Sequence, residues 1–251
     1  LSSPPSKRPL LFGLLASMLL GFCLSLVMTK CMKGVSTIQD AASYLFQARV
    51  FAKGNLSAPP PPVAEAFHIK ETVIHDGKWY SKYPPAYALV LALGVYLGVA
   101  WVISPLFCGA ALFSLYLLAR DLYDLRTASA FVILAIVSPL LYVYGPAILS
   151  QPLSLFLVSL SFSLVLAPSL SARPWLPYAL GAVLGALVLT RPFEALVMGT
   201  PLLLFYLLRE LKRKSLGAIP WICLKLSLAA LPFCLLLLLH NYHFTGNPFL
   251  L

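Results

Sequence analysis

Apolar residues occupy the chain in long runs separated by short basic segments, and the run lengths predict helices. Leu10 to Met28 carries no charge over 19 residues, enough to cross a bilayer core of roughly 30 Å as a helix. Further runs cover Ala86 to Ala100, Val102 to Ala119, Ala128 to Leu149, Pro152 to Pro168, Pro174 to Leu189, Phe193 to Leu208 and Ala218 to Leu239. The first of these is short, follows Pro84-Pro85 and is broken by Gly94 and Gly98, so it reads as a juxtamembrane or half-inserted helix. The others predict an all-α polytopic membrane protein of about seven transmembrane helices, in one domain over 1–251.

A polar island, Thr29 to Pro84, interrupts the apolar pattern and holds Asp40, Glu65, Glu71 and Asp76, half of the eight acidic residues. Within it Ile38, Ala41, Ala42, Leu45, Ala48 and Ala52 recur at helical spacing, with Thr37 as N-cap and Gly54 as C-terminal cap. This predicts an amphipathic helix over 38–53 lying on the membrane surface. Asp40, Tyr44, Gln47 and Phe51 share one of its faces. A polyproline-like spacer, Ser57 to Pro62, follows, and Asp76-Gly77 marks a tight turn.

Composition agrees with the run pattern: 60% hydrophobic, 10% charged and a mean hydropathy of +0.89 belong to an integral membrane protein. The net charge of +10 does not point to nucleic acid. Its cations cluster between apolar runs, at Lys7-Arg8, Arg120 with Arg126, Arg173, and Arg209 to Lys214. If Lys7-Arg8 is inside, the seven-span threading returns every cluster to the same side, as the positive-inside rule requires. The island is then an outer loop over 29–84, and His240 to His243 also lie outside. The five cysteines lack C-x-x-C spacing and read as packing residues. A signal peptide is the lesser reading of the first run, which is too long for an h-region. The start at Leu1 and the end at Pro248-Phe249-Leu250-Leu251 suggest the N-terminal part of a longer protein.

Candidate chemistry sits at the outer face. Asp40 fits a capping pair with Thr37 or a functional carboxylate. Lys82, before Tyr83-Pro84-Pro85, would pair with a lipid phosphate or merely snorkel. Arg191 and Glu194 flank Pro192 between two short runs, at a depth where charges are costly unless paired. They form either an i, i+3 ion pair or a phosphate clamp. His68 and His75 are isolated, and His68 is at most a weak metal candidate.

The segments Gln39 to Arg49, Gly54-Asn55-Leu56, Asp76 to Pro85, Tyr123 to Ala128, Ser138-Pro139, Thr190-Arg191-Pro192 and Thr245 to Pro248 resemble GT-C fold glycosyltransferases. The similar branch is the bacterial one of protein O-mannosyltransferases and the lipid A aminoarabinose transferase. The resemblance implies sugar transfer from a polyprenyl-phosphate donor to a glycan, lipid or protein acceptor, on the outer face of a bacterial inner membrane. It implies Asp40 as catalytic residue, with Lys82 and Arg191 neutralising the leaving phosphate; Tyr44, Tyr83 and Glu194 complete the candidate substrate- and phosphate-binding residues. Mannosyltransferases of this group carry two adjacent acids, whereas Ala41 follows Asp40 here, which puts a paired-acid mechanism and a divalent metal in doubt. The alternatives are a non-catalytic lipid or polymer transporter subunit, and an outer loop that docks a partner protein.

Overall fold

The computed structural model describes residues 38–63, 70–168, 173–213 and 216–250, with a few isolated positions besides. The expected first span is described only at isolated positions, and Thr37 and His68 lie outside the described residues. The described residues are helical with one small hairpin, in the order α1 (Gln39–Ala52), β1 (Thr72–His75), β2 (Lys78–Ser81), α2 (Pro85–Tyr96), α3 (Ala100–Leu122), α4 (Leu125–Val137), α5 (Pro139–Tyr144), α6 (Gln151–Leu166) and α7 (Leu176–Thr190). It ends with α8 (Pro192–Arg213) and α9 (Ile219–Thr245).

The helix expected over 38–53 is α1, entered through Ile38 in extended conformation. One side of it packs on the rest of the protein. Ala41, Tyr44 and Ala48 are buried against Tyr87 and Leu91 of α2 and against Leu149 and Leu153, with Leu45 and Ala52 packed alongside. The alanine stripe is thus covered by protein, because small side chains let α2 approach closely.

The segment between α1 and α2 also holds a feature that an all-α expectation leaves out. Asp76 at φ 48° and Gly77 at φ 69° close a two-residue turn between β1 and β2. Both left-handed positions match the mirror-image turn that suits strand twist. Ala58, at the start of the proline spacer, pairs with Trp79 and extends the hairpin edge.

Helix α2 has 12 residues, about 18 Å at 1.5 Å per residue, so it is too short to cross. A left-handed turn at Gly98, φ 73°, leads from it into α3. The span expected over 128–149 is interrupted: Pro139 lacks an N–H and disfavours helix at Ser138, so α4 stops at Val137 and α5 begins afresh. Asp124 starts α4 by accepting from the Thr127 amide at 2.7 Å. Helix α8 runs to Arg213 instead of Leu208, and α9 continues through His240 to Thr245, so His240 to His243 form its last turns and not a loop.

Among the described residues three helices are long and apolar enough to cross a membrane: Ala100–Leu122, Pro192–Arg213 and Leu216–Thr245. Four shorter apolar helices accompany them. This is the architecture of a helical membrane protein. Helices α7 and α9 lie backbone to backbone: a Cβ added at Gly181 would fall 2.3 Å from the Leu226 carbonyl oxygen. Helices α3 and α6 are tied by Ser163, whose hydroxyl donates to the Ser114 carbonyl at 3.0 Å.

Candidate functional site

Four segments distant in the chain meet in one cleft of about 230 Å³. Helix α1 contributes Asp40 and Tyr44, the segment before α2 contributes Tyr83, and the α7–α8 turn contributes Arg191 and Glu194. Ser150 and Gln151, at the start of α6, close the remaining wall.

Buried polar contacts set the position of α1. Gln47 donates to the Leu56 carbonyl at 2.8 Å and accepts from the Ser81 amide at 2.8 Å. Ser43 donates to the Glu71 carbonyl at 2.7 Å, and its hydroxyl lies 2.8 Å from that of Ser81. Breaking any of these would strand a buried polar group, at a cost of about 1–3 kcal/mol. Asp40, one turn ahead of Ser43, is therefore held by the loop that follows its own helix.

Tyr44 forms the floor. It stacks on Tyr83 with ring centroids 4.6 Å apart, meets Tyr87 edge-on at 5.0 Å, and hydrogen-bonds Ser150 at 2.9 Å. Burial raises its phenol above the ordinary tyrosine value, the Ser150 bond and Arg191 work against that rise, and Asp40 and Glu194 add to it. Tyr83 is raised further, first by burial and then by Asp40, which accepts its hydrogen bond. Both phenols therefore stay protonated donors at neutral pH.

The α7–α8 turn follows from Pro192, which begins α8 while Arg191 stays non-helical. Arg191 pairs with Glu194, as the i, i+3 spacing allowed, and Glu194 also accepts from the Ser154 hydroxyl of α6. A π turn over Ala195–Gly199 follows at once. Both members of the pair nevertheless line the Asp40 cleft.

Lys82 is placed differently. It pairs with Glu71 and lines an adjoining cleft of about 420 Å³ that shares Tyr83, Pro84, Pro192 and Phe193 with the first. The lysine beside Glu71 holds that carboxyl below its ordinary range, chiefly through their hydrogen bond. Asp40, Tyr44, Tyr83, Arg191 and Glu194 thus come together, and Lys82 stands behind the Tyr83 wall.

Among the described residues no three His, Cys, Asp or Glu side chains gather to hold a metal. His75 pairs with its exposed neighbour Asp76 at 3.4 Å. Ser150, Gln151 and Ser154 were not singled out from the sequence; the available signal was a polar pair before Pro152 in an otherwise apolar stretch.

The fold and cleft together define a helical membrane protein with a polar, carboxylate-containing site beside its spanning helices. No protein-family model, curated protein or solved structure matches the chain.

Proposed function

We propose that this chain carries the catalytic cleft of a membrane glycosyltransferase that uses a polyprenyl-phosphate sugar donor. The observation that supports it is the meeting of Asp40 with Arg191 in one cleft, floored by Tyr44 and Tyr83. In this reading seven spans put the cleft on the outer side of a bacterial inner membrane.

Asp40 accepts the proton of the acceptor hydroxyl as its oxygen attacks the anomeric carbon. The bond from that carbon to the phosphate oxygen breaks, and the electron pair leaves with the phosphate. Arg191 from the cleft and Lys82 from its neighbour neutralise the charge that develops. Inversion at the sugar follows from a single displacement. The acceptor is a glycan, lipid or protein presented from outside.

Asp40→Asn in the full-length protein, assayed for sugar transfer in membranes, is expected to lose about 10²–10⁴-fold in turnover, the usual size of a general-base contribution. Turnover equal to wild type would sink the assignment.

A further inference from the structure

Both cations of the two adjoining clefts are already paired. Lys82 faces Glu71, whose residue is 8% exposed, and Arg191 faces Glu194. Glu194 also has a second, uncharged donor, the Ser154 hydroxyl. The Glu71 main chain is independently fixed, because its carbonyl accepts from Ser43 at 2.7 Å.

This arrangement differs from a preformed anion site, in which the guanidinium and ammonium would be held open by neutral groups. Here a charged oxygen ligand meets cations whose positions are occupied by carboxylates. Glu194 keeps its Ser154 hydrogen bond when Arg191 turns away, so its release does not strip the carboxylate of every partner. The Lys82 side chain is 49% exposed, and its flexible stem allows it to swing without moving the backbone.

We infer that Glu71 and Glu194 are resting counter-ions, and that a phosphate group binds by ion-pair exchange, taking Lys82 from Glu71 and Arg191 from Glu194. The inference rests on the proposed reading of these cations as phosphate partners. Its consequence has the opposite sign to that of a positioning role: each carboxylate competes with the ligand, so neutralising it strengthens binding. It also makes the pair a filter, since a single weak anion gains too little to displace two carboxylates. A phosphate already seated by an apolar tail gains enough.

The test is direct binding to the purified full-length chain in detergent micelles, by titration calorimetry with farnesyl phosphate and, separately, inorganic phosphate. Glu71→Gln and Glu194→Gln keep side-chain shape and a hydrogen-bond acceptor. Each is expected to bind farnesyl phosphate about three- to fivefold more tightly than wild type, the scale of a half-exposed ion pair. Lys82→Met and Arg191→Gln are expected to bind at least tenfold more weakly. Inorganic phosphate should bind measurably only to the Glu71→Gln, Glu194→Gln double variant. Equal or weaker binding in both single Gln variants would overturn the exchange, as would the absence of farnesyl phosphate binding in every form. Thermal unfolding of each variant separates misfolding from lost competition. Because binding is read without turnover, inactive protein that still shows the tightening would remove the transferase reading and leave the exchange standing.

Discussion

Asp40 occupies the first turn of α1, where a carboxylate also favours the helix dipole. The helix is held by Ser43 and Gln47 and does not depend on Asp40 for its position, so the proposed chemical role is compatible with this one. The fold holds the Glu71 carboxyl toward its charged form. Its folded pKa is depressed by Lys82, so its stabilising contribution is complete above the unfolded value of about 4.3. That contribution is lost as the pH falls through the lower folded value. The thermal midpoint of the wild type should therefore drop on acidification below about pH 4 more steeply than that of Glu71→Gln. Parallel acid slopes would count against the Lys82 pairing. Asp40, Tyr44, Arg191 and Glu194 were all legible as candidates because charged or phenolic groups stand out in an apolar chain. Glu71 and Ser154 were not, since one is an ordinary loop acid and the other an ordinary helix serine until their partners are known.

At the level of elements, run length located the helices and backbone chemistry adjusted their ends. Pro139 split a run that hydropathy alone joins, while Pro105 and Pro232 remain inside α3 and α9. A proline is tolerated within a membrane helix when neighbours compensate the missing bond, so its position in a run does not reveal which outcome holds. The close approach of α7 to α9 turns on Gly181 and Gly185, four residues apart on one face. A Cβ at Gly185 would lie 2.9 Å from the Ala230 Cα, and backbone cannot yield as a side-chain end would. Gly181→Leu should push the helices apart and cost about 1–3 kcal/mol, the range for overpacked interiors. Unfolding in detergent checks this, with Gly217→Leu as control, because that glycine has open space around its Cβ position. Equal midpoints for the two variants would show that the pair is not packed as described.

Across the whole molecule, the β1–β2 hairpin and the end of α9 brace each other. Tyr80 stacks on Phe244 at 4.0 Å, and Lys78 donates to the His243 carbonyl at 2.8 Å, where a helix C-terminus favours a cation. Phe244 is 4% exposed. Its replacement by Ala should weaken this docking by about 3–5 kcal/mol, and limited proteolysis should then cut near the hairpin before the helices unfold. Simultaneous loss of hairpin and helices would mean that the brace is part of one cooperative unit. The sequence by itself determined the class, a helical membrane protein, because burying or exposing an apolar helix in lipid is decided by run length and composition. It also determined the tight turn at Asp76-Gly77, which is a local backbone requirement. Only the tertiary structure decided that Lys82 faces Glu71, that Arg191 is shared between Glu194 and the Asp40 cleft, and that Ser150 completes the Tyr44 floor. Those pairings join residues up to 106 positions apart, and the Coulomb and hydrogen-bond forces that fix them depend on distance in space, which spacing along the chain does not encode.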